Sequence, residues 1–436
     1  MNHFDTLVLA FAAVAVVALF RLRLCTMIFA GNNLLVSRAL SAIDRGGQPA
    51  TQSFLPSQVF SQDNLAVVAW ILTLSLVSLM AFSLVPSRGP GRGGMNAPAV
   101  PRYLLIAIGI YLVAYAGAKS TILSGRYGAD DVVYYDMELA GGHTFLCSLL
   151  LYELARRRLL ETITARRAFL LMFAIFLATG YAKGGTGLTT GYLVASAVLL
   201  LPRTGPNAQS SNMARIGVAL LAVFAVSFVV RGVRSTFADE GSGAVTELVD
   251  TVLKMENERD EVGQGAESIA NATQSATHML LCTTLYDSGS SRNWRSIYNV
   301  LEYTLMPSFL VRWLGWNRSI EPAWELASHF VHGGGINVLG ELYWNGGLLC
   351  VAVVATAIAF FCFLVDVRYR TSPFWLVMIA QFAPSFLMGY GYGFPQVARG
   401  AINGLVAAAA YKVLMRVRGA TAPSQSSARP TTETAR

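Results

Sequence analysis

Ten apolar runs, each close to the length of a bilayer-crossing helix, leave this chain few ways to fold. At about 1.5 Å per helical residue, roughly 20 apolar residues cross the hydrocarbon core of a membrane. Seven runs come first: Thr6–Phe20, Leu65–Leu84, Tyr103–Ala118, His143–Leu154, Ala168–Tyr181, Leu188–Leu201 and Ile216–Val230. Three follow a long gap: Leu348–Val365, Phe374–Tyr390 and Ala401–Leu414. The shorter runs need interfacial neighbours to complete a crossing. Hydrophobic residues make up 54% of the chain, charged ones 13%, and mean hydropathy is +0.49. A soluble domain of this length rarely reaches such values. The expectation is an all-α polytopic membrane protein of about 10–11 transmembrane helices.

The gap is itself informative. Between Arg231 and Asn345 runs one polar stretch of 115 residues, carrying eight basic and fourteen acidic side chains. The chain as a whole is at +8, so its positive charge lies elsewhere. It sits in short loops: Arg88, Arg92 and Arg102; Arg156, Arg157, Arg158, Arg166 and Arg167; Arg203 and Arg215; Arg368 and Arg370; then Lys412, Arg416 and Arg418 in the tail. These loops alternate on one side, which the positive-inside bias makes the cytoplasm. The acidic loop then faces outward, to the periplasm if the membrane is a bacterial inner membrane. Basic charge in such positions argues against a nucleic-acid partner, despite a pI near 9.3. The division expected is an N-terminal bundle (1–230), a large periplasmic loop (231–346), C-terminal spans (347–415) and a disordered tail (416–436).

Some segments are less plain. Thr6–Phe20 lacks a basic lead-in and a small-residue cleavage site, so it is expected to stay as an anchor helix. Cys25–Leu40 is half apolar but holds Asn32, Asn33 and Arg38, which are costly in hydrocarbon. It is read as an interfacial helix, with an eleventh span as the alternative, one that would turn the N-terminus outward. In the long loop, Ala244–Glu261 and Ser296–Leu305 have helical apolar spacing, and Phe309–Trp324 is rich in Trp, which favours a membrane surface. Of five cysteines only Cys282 is clearly in the loop, so neither a disulfide framework nor a thiolate metal site is expected.

Chemistry is sought where cations oppose the charge bias. Arg231 and Arg234 stand where the seventh run ends, and Arg312 and Arg318 flank the Trp-rich run. Lys183 lies in the short outer turn GYAKGGTG and Arg399 in GYGYGFPQVARG. An arginine fork matches phosphate bidentately, so the set suits an anionic group. Snorkelling, or pairing with the loop's acids, accounts equally well for any one arginine. His329 and His332 precede three glycines that break a helix, which leaves a structural role, substrate hydrogen bonding or proton transfer, and no metal site. Glu341 falls about one turn before an apolar run, where a carboxylate needs either a cation partner or a role as base.

The string GGGINVLGELYWNGGLLCV after a large outer loop resembles the entry to a late span in Wzy-type polysaccharide polymerases. Asn337, Gly340-Glu341-Leu342-Tyr343 and Asn345-Gly346-Gly347 carry the likeness. YAKGGTGLTTGYLVASAVLLL resembles the family's basic-Gly turn, with Lys183 replacing the more usual arginine. LEYTLMPSFL resembles its proline segment, with Ser308 where a basic residue is common, and ARGAINGL resembles its final basic turn.

The resemblance implies a GT-C-like fold and a metal-independent, inverting glycosyltransferase that needs no cofactor. It would polymerise undecaprenyl-diphosphate-linked oligosaccharide repeat units into exopolysaccharide or O-antigen on the periplasmic face. It also implies a diphosphate site at Arg231, Arg234, Lys183, Arg399, Arg312 and Arg318, and Glu341 with His332 as catalytic candidates. Partners would be the lipid-linked substrate, the bilayer, and a chain-length regulator or export complex. An O-antigen ligase, a polysaccharide transporter or flippase, and a non-catalytic assembly partner are the alternatives.

Overall fold

The computed structural model describes residues 2–46, 57–85, 99–118, 130–177, 187–203, 208–240, 266–305, 314–315, 325–326, 336–390 and 393–421. Among them the regular structure is helical: α1 (His3–Phe20), α2 (Leu24–Asp44), α3 (Gln62–Ser83), α4 (Arg102–Ala118), α5 (Asp130–Leu159), α6 (Ala165–Phe176), α7 (Gly187–Leu200), α8 (Ala208–Glu240), α9 (Ala266–Asp287), α10 (Arg295–Leu305), α11 (Val338–Arg368), α12 (Pro373–Gly389) and α13 (Phe394–Thr421). Among the described residues four stretches are long and apolar enough to cross a membrane: His3–Phe20, Gln62–Ser83, Ala208–Ser227 and Val338–Arg368. Three shorter apolar stretches accompany them: Arg102–Ala114, Thr189–Leu200 and Pro373–Leu387. Nine of the ten expected apolar runs coincide with helices to within one residue, and several helices extend well past the run; of Ala168–Tyr181, α6 holds 168–176 and 178–181 lie outside the described residues. The helix expected at 244–261 and the tail beyond Thr421 lie outside the described residues.

Local chemistry sets several helix starts. Asn2 and Asp5 form a reciprocal capping box on α1, and Ser61 and Thr164 cap α3 and α6. The helices pack in two groups. One holds α1, α2, α3, α9 and α11; the other holds α5, α6, α7, α8, α12 and α13. Contacts of α12 with α2 and α11 join them. Small residues permit the closest approaches. A Cβ on Gly191 would meet the Pro384 carbonyl oxygen at 2.7 Å, and one on Gly400 would meet Ser385 at 2.8 Å, so α12 lies directly on α7 and α13.

The structure corrects the expectation for residues 25–40. Instead of lying along a surface, α2 crosses the depth of the bundle, antiparallel to α1 and α3. At one end Asn2 Nδ2 donates to Asp44 at 2.7 Å and Ser41 donates to Asp5 at 2.7 Å. At the other, Asp366 of α11 accepts the Cys25 and Thr26 amides at 2.9 and 2.8 Å, capping α2 from 340 residues away. Arg21 and Arg23 at this second end cap the last carbonyls of α3, with Nη1 of each on Ser83 O at 2.6 and 2.8 Å. The costly Asn33 is fully buried yet paired: Nδ2 donates to Ser75 Oγ at 3.1 Å and Oδ1 accepts the Tyr390 hydroxyl at 2.5 Å. Polar side chains that find partners inside a bundle no longer oppose burial.

A second difference concerns α9. It belongs to the polar gap, yet residues 276–283 are buried without interruption against α2, α3 and α11. Its Cys282 is buried, and all five cysteines are free.

Candidate functional site

The apolar run beginning at Leu348 continues backwards as α11, but a break interrupts it. Gly346 (φ −167°, ψ 30°) and Gly347 (φ 64°, ψ −159°) separate an eight-residue segment, Val338–Asn345, from the long apolar helix. Gly347 is needed there twice over, since its backbone is left-handed and a Cβ would sit 2.7 Å from the Tyr286 hydroxyl. Asn337 caps the segment by accepting the Leu339 amide at 2.9 Å. Every residue from Val338 to Asn345 is buried. At Gly340 the backbone of α9 comes so close that a Cβ would lie 2.8 Å from Met279 Cα.

Burial of this segment leaves its last carbonyls without water, and residues 291–296 supply the donors. The Arg292 amide donates to Trp344 O at 3.0 Å and the Trp294 amide to Asn345 O at 3.1 Å. Along the stretch that aims these two alternate amides, Asn293 and Trp294 adopt φ of 47° and 62°. Left-handed backbone is strained for a side chain as large as Trp. The Asn345 side chain completes the join, accepting the Ser296 amide at 3.0 Å and donating to Ser296 Oγ and Glu341 O, both at 2.7 Å.

Glu341 sits at the centre, 0% exposed. Its Oε1 accepts the Ser296 hydroxyl and faces Arg292 Nη1 at 3.6 Å, and that nitrogen also donates to Ser296 Oγ at 3.1 Å. Its Oε2 accepts the Phe394 amide at 2.6 Å, the first residue of α13. A carboxylate at a helix N-terminus is favoured by the dipole and by the unpaired amides there. Gly393, at φ 97°, makes room, because a Cβ would lie 2.5 Å from Oε2. Arg292 is buried in turn; its Nε lies 3.0 Å from Glu325 Oε2, and its guanidinium lies 5.3 Å from the Trp344 ring centroid. Arg295 reaches the other Glu325 oxygen at 3.9 Å. Beside this cluster, burial and then the Glu341 charge push the Cys282 thiol well above its ordinary value.

Of the sequence candidates, the structure thus puts Glu341 into a buried polar cluster and supplies the cation that its position calls for. Arg399 is not in a tight turn: it is the sixth residue of α13, half-buried, with Nη1 3.4 Å from Gln396. It stands about 7.5 Å along the helix from the amide that Glu341 holds. Arg231 and Arg234 lie one turn apart on α8, their side chains outside the description. Lys183, Arg312, Arg318 and His332 are outside the described residues. Arg292, Ser296 and Glu325 were not among the candidates. The one signal for them was Arg292 and Arg295 beside the helical spacing of Ser296–Leu305, and that spacing says nothing about which distant carboxylate they meet.

Fold and site together define an α-helical protein with helices long and apolar enough to cross a membrane and a buried, charge-paired cluster at one end of the bundle. No protein-family model, characterised protein or solved structure matches the chain.

Proposed function

We propose that this chain is a repeat-unit polymerase of the Wzy type, working in a GT-C-like fold at the periplasmic face of a bacterial inner membrane. One observation carries the reading. The Gly340-Glu341-Leu342-Tyr343 segment, on which the family likeness rests, is the place where three remote stretches, near Arg292, Glu341 and Phe394, are tied into one buried cluster. In this reading an acceptor hydroxyl attacks the anomeric carbon of the growing glycan. The bond from that carbon to the diphosphate oxygen breaks, and the hydroxyl proton passes to a base. The departing diphosphate gathers negative charge, which Arg231, Arg234, Lys183 and Arg399 neutralise, with Arg312 and Arg318 assigned to the same set. Glu341 already accepts hydrogen bonds at both oxygens, so it serves as the carboxylate that orients the cluster. The base role then moves towards His332.

The test is direct. Purified protein in a bilayer, given lipid-linked repeat units without added metal or nucleotide, should extend them. Absence of any extension would sink the polymerase reading. The O-antigen ligase, which is the nearest rival, differs in a deletion strain. Loss of the polymerase leaves single repeat units on undecaprenyl diphosphate, whereas loss of a ligase leaves long chains on that carrier.

A further inference from the structure

We propose that Arg292 and Arg295 form a binding site for a phosphate-type anion, and that the Glu325 carboxylate occupies it in this structure in the anion's place. The two arginines meet one carboxylate from two sides, Arg292 Nε at 3.0 Å from Oε2 and Arg295 Nη1 at 3.9 Å from Oε1. A pair of guanidinium forks around two oxygens is equally the geometry in which phosphate is held.

The two acids of the cluster are not equivalent. Glu341 has no exposed surface and is fastened by Ser296, Phe394 and Arg292. The Glu325 side chain is 21% exposed, and it enters from a different part of the chain, anchored next to it by the buried Leu326. With both acids in place the two arginines are neutralised. With Glu325 displaced, Glu341 still balances one of them and the cluster is left with a single positive charge. Glu341 stays 3.6 Å from Arg292, so the charge left over is chiefly that of Arg295. Exchange of Glu325 for another anion restores the charge balance between the two arginines. Arg295, at 46% exposure, gives the incoming group a path from solvent. Neither arginine belongs to the cation set proposed above for the diphosphate, so this is a separate contact. Its assignment to a lipid diphosphate rests on the polymerase reading, but the anion site itself does not.

The experiment uses the full chain in phosphatidylcholine nanodiscs, titrated with inorganic pyrophosphate by calorimetry. Glu325→Gln removes the internal competitor and should tighten binding about fivefold, the scale of one partly exposed ion pair. Arg295→Ala, at an exposed position, should weaken it. A structural tie between Glu325 and the arginines predicts otherwise, namely that Glu325→Gln binds no tighter than wild type. That result, or an unchanged affinity in Arg295→Ala, or no binding by any form, overturns the proposal. Two further arms identify the source of the phosphate. Competition by a short prenyl diphosphate supports a lipid diphosphate, while loss of pyrophosphate binding in phosphatidylglycerol nanodiscs supports a phospholipid headgroup. If the variants follow the expected order while repeat units are never extended, the anion site stands and the polymerase reading alone fails.

Discussion

Asp366, near the end of α11, accepts both the amide and the hydroxyl of Thr26 at 2.8 Å, fixing the start of α2 beside the end of α11. At the opposite end Asn2 holds Asp44, so α1 and α2 form a hairpin as deep as the bundle. The long polar stretch enters α11 at its other terminus. The start of α1 and the end of α2 therefore share an end of the molecule with Glu341, and Asp366 shares the opposite end with Arg21 and Arg23.

A topological prediction follows from that hairpin. A reporter ahead of Asn2 should behave like one near Asp260, and both should be opposite to reporters near Arg158 or after Arg418. Charge bias puts the Asp260 reporter in the periplasm. An N-terminal reporter that matches Arg158 would mean that α2 does not cross with its neighbours.

Gly393 should not accept alanine. Left-handed backbone costs an L-residue about 1–2 kcal/mol, and the added Cβ also meets Glu341 Oε2 at 2.5 Å. Gly393→Ala should lower the thermal midpoint in detergent, while Gly46→Ala, also at positive φ but with open space around it, should show the strain alone. Equal shifts in the two variants would show that the contact with Glu341 contributes nothing.

Glu341→Gln keeps one acceptor, for either Ser296 or Phe394 but not both, and loses the ion pair with Arg292. Insertion should stay normal and polymer should fall sharply. Glu341→Ala removes the acceptors as well, and the partly uncompensated Arg292 should bring the destabilisation towards about 3–5 kcal/mol. Polymer length and thermal unfolding, measured on both variants, separate the two effects. Wild-type polymer in Glu341→Gln would reduce the carboxylate to a structural tie.

The outer cations should act as one set. Alanine at Arg231, Arg234, Lys183 or Arg399 should abolish polymer at normal protein level, each removing a few kcal/mol of transition-state stabilisation. Arg→Lys should rescue only in part, because the planar fork is lost. Full-length polymer in all four alanine variants would refute a shared site.

Hydropathy is a local property, and the apolar helices were accordingly legible from the residues alone. So was the break before Leu348, since the run Asn345-Gly346-Gly347 cannot continue a helix without cost. Glu341 drew notice for a local reason too, a carboxylate beside an apolar run. Burial of a polar segment is different, because it depends on partners that proximity in sequence does not reveal. Asn33 made residues 25–40 look unfit for an interior, and only Ser75 and Tyr390, from α3 and the end of α12, make it fit. The same holds for α9, whose neighbours in the chain are polar and whose neighbours in space are α2, α3 and α11. The identity of the Glu341 cation was decided in the same way. The position of Glu341 called for a cation without saying which, and the chain that closes on the carboxylate brings Arg292, because donors at 291–296 are needed to cap a helix end shut off from water. The chain's own order thus determined which segments are apolar and where helices break. Tertiary packing decided which polar groups could be buried, since a buried hydrogen bond or ion pair exists only when both halves arrive.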